Sequence, residues 1–249
     1  MTHFSVLVIG DNPDELMAPY DENLEVDEHV ALTRKEASEK KKDELKKMKG
    51  YLKEDPDGKK YRIQNIKKRI AELESMPDEV YFKDRVQFYE KFNENGEPLT
   101  TSNPDAHWDY WGPEDILWTK GKKKQVSSAK AKDIDWERHK MEGRKEAEKQ
   151  LKIIEEEMKK NRDVSLPWDR QTPSERLMNR EAYIAEAERF HTYAVVTPDG
   201  EWHAPGQCGW FGMSSESEDD WKNWAKKFHD KFIKDLPPNT KLTFVDCHI

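Results

Sequence analysis

Thr2-His3-Phe4-Ser5-Val6-Leu7-Val8-Ile9-Gly10 and Leu242-Thr243-Phe244-Val245-Asp246-Cys247 lie at opposite ends of the 249-residue chain and are its two most strand-like apolar runs. Residues 3–9 are rich in β-branched and aromatic types and stop at Gly10, which reads as a central strand buried on both faces. The run is too short to span a bilayer and has no basic segment ahead of it, so the expectation is a cytoplasmic protein rather than a secreted or membrane one. Working inward from the far end, His191-Thr192-Tyr193-Ala194-Val195-Val196-Thr197 changes from a helical to a strand period. Pro198-Asp199-Gly200 is a turn signal, and Glu201-Trp202-His203 returns as a hairpin partner. Ser215-Glu216-Ser217-Glu218 caps a last helix whose Trp221, Trp224, Ala225, Phe228 and Phe232 share one face, and Pro237-Pro238 stops it. Aromatic residues at that spacing are read as core cover for a small sheet. The order predicts the α+β class, with a small ferredoxin-like antiparallel or mixed sheet formed by the chain ends.

Between the ends the composition turns against a large core. Charged residues make up 38% of the chain and hydrophobic ones 35%, so much of the middle must be solvated helix. Thr33-Arg34-Lys35-Glu36 is a capping-box pattern opening a helix to about Glu54, with Leu45, Met48 and Leu52 as its seam. Ile63, Ile66, Ile70 and Leu73 repeat the spacing after Asp55-Pro56-Asp57-Gly58, which predicts an antiparallel helical hairpin. A further helix opens at Pro77 and ends at Asn95-Gly96, and another runs from about Asp133 with Leu151, Ile154 and Met158 on its seam. Residues 20–30 lack a clean period and read as a loop, as does the aromatic segment at 100–125. The expected organisation is a discontinuous α/β core of residues 1–32 and 166–249, with a charged helical insertion over 33–165.

Residues 1–30 carry eight acids and no Lys or Arg, whereas residues 34–74 hold fifteen Lys or Arg against nine acids. Because those acids are interleaved at helical spacing, the basic stretch reads as a salt-bridged exposed face and nucleic acid is not the expected partner. Cys208 and Cys247 are the only cysteines and form no C-x-x-C pair, which argues against a disulfide framework or structural zinc.

The framing residues resemble an uncharacterised accessory family of tailed bacteriophages and their hosts. The resemblance lies in Thr2 to Gly10, in Leu16 to Tyr20, in Gly206 to Gly212, and in Val245-Asp246-Cys247-His248-Ile249. Such relatives continue an aromatic segment as Trp-Asp-Trp-Tyr and then Gly-Gly-Arg-Trp. Here Trp108-Asp109-Tyr110-Trp111 matches the first half, and Gly112-Pro113-Glu114-Asp115 stands in place of the glycine-arginine part. The resemblance implies a phage accessory role in the host cell cytoplasm and carries no activity with it.

Three constellations could bear chemistry. Gly206-Gln207-Cys208-Gly209-Trp210-Phe211-Gly212 joins glycines that admit close backbone approach to rings that could stack on a base, ahead of a helix N-terminus. Its bland alternative is a connection whose aromatics plug the sheet, and no phosphate-loop lysine is present. His3, His191, His203 and His248, with Asp246, could gather at the sheet, but no H-x-x-x-H or H-E-x-x-H spacing exists and structural histidines are the default. Cys208 with His203 could form a nucleophilic pair on sequence proximity alone. The expected ligand-binding residues are Trp108, Asp109, Trp111, Trp202, His203, Gly206, Gly209, Trp210 and Gly212, with no catalytic residue, metal or cofactor. The expected function is non-catalytic binding that antagonises host defence, by sequestering a nucleotide-like signal. The alternatives are blocking a host defence protein through the helical insertion, or an enzyme degrading such a signal. Self-association is left open.

Overall fold

The N-terminal run forms β1 (His3–Ile9), and the C-terminal run forms β8 (Lys241–His248). They pair antiparallel in continuous register from His3 opposite His248 to Ile9 opposite Leu242. The computed structural model describes residues 3–54, 60–160, 172–207 and 215–249. It divides the chain into two units, Met1–Leu24 with Asp105–Ile249, and Glu25–Pro104.

In the first unit β6 (Ala194–Val196) pairs parallel with β1, and β7 (Trp202–His203) returns antiparallel to β6. The outer edge of β8 carries β4 (Tyr110–Pro113) and then β5 (Ser128–Lys130), giving the order β4-β8-β1-β6-β7 with β5 also on β8. The mixed sheet drawn from both chain ends is therefore present, but its strand order corrects the ferredoxin-like expectation. A split βαβ unit places another strand between its two parallel strands, whereas β1 and β6 are adjacent. Burial accounts for the difference: β6 is buried at every residue and takes the inner position, while two-residue β7 is only half-buried and takes the edge.

Alternation along β1 supplies two cores. Phe4, Val6 and Val8 face Ala194, Val196, Val245 and Cys247, covered by Met17 and Trp108. Leu7 and Ile9 face Val195, Leu242 and Phe244, covered by Phe228 and Phe232 of α8 (Glu218–Phe232) and by Ile233. Each such side chain contributes about 1.5–3 kcal/mol on burial. The cap of α8 is Ser217, whose Oγ accepts the Asp220 N–H at 3.2 Å while Asp220 Oδ2 accepts the Ser217 N–H at 3.0 Å, two residues later than Ser215.

On this unit α5 (Trp136–Lys159) buries Ala147, Leu151 and Ile154, and is followed by α6 (Pro173–Met178) and α7 (Arg180–Ala187). The capping box at Thr172 and Glu175 forms as read. Gly143 is what brings α5 and α7 together: a Cβ there would lie 2.0 Å from the Ala187 carbonyl oxygen. Arg144 adds an ion pair to Glu188 at 2.8 Å.

The second unit pairs β2 (Glu25–Val30) with β3 (Leu99–Ser102) in an antiparallel ribbon beside α2 (Arg34–Glu54), α3 (Lys60–Ser75) and α4 (Asp78–Val86). Leu32, Ala37, Leu73, Tyr81, Phe82 and Val86 form its core. Glu44 ties its helices by accepting from Arg69 Nε at 2.8 Å, Tyr81 Oη at 2.9 Å and Arg85 at 3.0 Å. Three expectations are corrected here. Residues 25–30 are a strand, not loop. Helix α4 stops at Val86, because Asn93 to Glu97 form a tight turn with Gly96 at φ 69° and Phe92 bridges Pro98. The compact inserted unit is Glu25–Pro104 rather than residues 33–165, since β4, β5 and α5 belong to the first unit. Among the described residues no helix is long and apolar enough to cross a membrane.

Candidate ligand-binding site

The expected aromatic residues are placed mainly in packing. Trp108 is 7% exposed and its Nε1–H donates to the Met17 carbonyl at 3.2 Å. Trp111 is half-buried on β4 opposite Cys247, against the same core. Trp202 stacks on His107 with ring centroids 4.4 Å apart, and Tyr20 lies 5.0 Å from it on a tilted ring. Burial holds the His107 imidazole below its ordinary pKa, against the opposing pull of Asp105. His203 points elsewhere, its ring 5.4 Å from Phe232. Gly206 permits a close approach, because a Cβ would sit 2.7 Å from the Glu216 amide nitrogen. Thus Trp108, Trp111 and Trp202 come together as one core cluster, with Trp202 already stacked on protein rings. Gly209, Trp210 and Gly212, with Cys208, lie outside the described residues.

Of the four histidines weighed as a cluster, His3 and His248 meet, with ring centroids 5.2 Å apart. His3 Nδ1 is 2.7 Å from Asp246 Oδ2, and His248 Nδ1 is 2.6 Å from Asp109 Oδ1. Asp109 therefore serves a histidine on β8, and Tyr110 stacks on that imidazole at 4.6 Å. His248 is buried, and its Nε2 has no hydrogen-bond partner among the described residues. His191 packs on Trp221 instead. No group of three metal-ligating side chains converges among the described residues. Burial, reinforced by Asp246, raises the Cys247 thiol far above its ordinary pKa, so it is not a nucleophile.

A cleft of about 410 Å³ opens between the first turn of α5, the end of α7 and the middle of α8. Its lining includes the Trp136 and Phe190 rings, T-shaped to one another at 5.2 Å, with Ala185 and Ala225 beside them. Asp135 positions Trp136 by capping α5 through the Arg138 N–H at 3.1 Å. Next to it, His139 is fixed in its neutral form by accepting the Trp118 N–H on Nε2 at 2.9 Å. Burial depresses its pKa to about 4, with Asp135 opposing and Arg138 assisting. Around the rings stand Lys140, Arg189 and Lys226, one from each flanking segment, with Glu137, Glu188 and His229. None of the three cations has an ion-pair partner among the described residues. Glu188 is taken by Arg144 at 2.8 Å.

Sequence reading did not select this cleft. A signal was available: Trp136, Lys140, Gly143, Ala147, Leu151 and Ile154 follow one helical stripe, on which a lysine and a glycine interrupt an apolar seam. Comparison of the chain with protein-family models, with curated proteins and with solved structures gave no match.

Proposed function

We propose that the chain is a non-catalytic binding protein that holds a small ligand in the cleft between α5, α7 and α8, and that this binding serves a phage accessory role against host defence. The observation that carries the binding reading is the cleft itself: a half-buried aromatic pair ringed by three cations that have no carboxylate partner among the described residues. Its volume falls in the range of small-molecule sites, roughly 300–1,000 Å³. The phage role is drawn from the resemblance of the chain ends and aromatic segment.

The test is native mass spectrometry of the purified protein after incubation with bacterial extract. Retention of a small mass, recovered chemically unchanged and lost on Trp136→Ala, is expected. Recovery of an altered molecule would replace sequestration by catalysis. A second reading, capture of a host protein, is favoured by one observation: Val80, Phe88, Tyr89 and Phe92 are exposed in the second unit, Phe88 at 85%. A protein partner retained in place of a small mass would support it.

A further inference from the structure

We infer that the ligand of this cleft is a mononucleotide, its base against Trp136 and Phe190 and its phosphate among Lys140, Arg189 and Lys226. The inference rests on the cleft being a binding site and adds the chemical class.

Charge supplies the first argument. The chain has a formal net charge of −8, yet this cleft gathers three cations from three separate segments. Unpaired like charges brought close together repel one another and raise the cost of folding. A polyanion removes that cost, and a phosphate group with several acceptor oxygens can meet cations arriving from different directions. A neutral aromatic ligand would leave all three unused, and a single carboxylate would engage fewer of them.

The rings and the volume supply the second. Planar bases gain about 1–3 kcal/mol on aromatic side chains with little dependence on sequence. Trp136 and Phe190 are half-buried, so each is anchored in the core while part of its surface reaches the cleft. About 410 Å³ admits a base, a sugar and a phosphate but lies at the small end for a dinucleotide or a folded peptide segment. Glu188 pairs with Arg144, which also holds Glu148 at 3.1 Å, and Glu137 is the one lining carboxylate without a partner among the described residues, suited to accept from a sugar hydroxyl or an exocyclic amine.

Isothermal titration of the intact protein with AMP, GMP, CMP and UMP, with the four matching nucleosides, with inorganic phosphate and with indole-3-acetate tests the class. At least one monophosphate is expected to bind ten-fold or more tighter than its nucleoside and than phosphate alone. Arg189→Ala and Lys226→Ala should each erase most of the advantage over the nucleoside. Trp136→Ala should weaken nucleotide and nucleoside alike by roughly ten- to a hundred-fold, with Trp136→Phe as the substitute if the alanine variant does not fold. Equal binding of indole-3-acetate, or no binding of any nucleotide by a protein that retains another small mass from extract, overturns the mononucleotide while leaving the cleft as a site. If no probe binds and no mass is retained, the binding reading fails as well.

Discussion

Replacing Gly143 by alanine separates local helix preference from the packing that shapes the cleft. In the interior of a helix the exchange normally stabilises by about 1 kcal/mol. At Gly143 the new methyl carbon would lie 2.0 Å from the Ala187 carbonyl oxygen and 3.0 Å from its carbonyl carbon. The α7 backbone must then retreat by an ångström or more, stretching the Arg144 to Glu188 ion pair beside it. Overpacking of this kind costs about 1–3 kcal/mol, and contact with rigid backbone puts this site at the upper end. After the propensity gain is set against it, a net loss of about 2 kcal/mol is expected, which at this chain length lowers Tm by roughly 4–8 °C. Gly50 in α2 is the control, because a Cβ there meets nothing within 4 Å and Gly50→Ala should raise stability. Differential scanning calorimetry of both variants gives the answer. A Gly143→Ala protein that gained stability as Gly50→Ala does would refute the close α5–α7 approach beside the cleft.

The two tryptophan environments should respond oppositely: Trp108→Ala costs about 3–5 kcal/mol by urea denaturation, whereas Trp136→Ala leaves a folded protein that has lost ligand. Asp109→Ala strips the His248 ring of its one hydrogen-bond partner among the described residues and should cost about 1–3 kcal/mol without altering ligand affinity in calorimetry; an unchanged urea midpoint would mean the pair is not formed. His139 has a folded pKa of about 4 against an ordinary 6.5, so the unfolded chain binds more protons between those values. Its contribution to stability is accordingly complete above about pH 6.5 and is lost as pH falls toward 4, and His139→Gln should flatten that part of the pH–stability curve.

What could be read from the sequence was what local pattern encodes. The β1 and β8 runs are apolar and β-branched whatever they pair with, and the Thr172 capping box is a contact between residues three apart, so both emerged correctly. The Trp221 to Phe232 stripe was likewise assigned to packing, and Trp224 indeed donates to the Thr192 carbonyl at 2.7 Å. Long-range choices were not readable. Tyr110 to Pro113 is a four-residue strand containing glycine and proline, whose partner lies at the far end of the chain, so nothing in its own period announces pairing with β8. That omission pushed residues 105–165 into the expected insertion. The candidate site is not legible in the sequence for a related reason: Trp136, Phe190 and Lys226 converge only through the α5–α7–α8 arrangement, whereas the aromatic density of Trp108–Trp111 is local. Dense aromatic sequence there proved to be core because Trp108 finds Met17, and Trp202 finds His107.

The most direct measurement is a two-dimensional amide NMR titration of the folded protein with the tightest nucleoside monophosphate. The account predicts shift changes concentrated in residues 136–140, 185–190 and 225–229, with the indole resonance of Trp136 among the largest and that of Trp108 unmoved. Changes centred instead on residues 107–111 and 202–206 would contradict it and return the site to the aromatic segment.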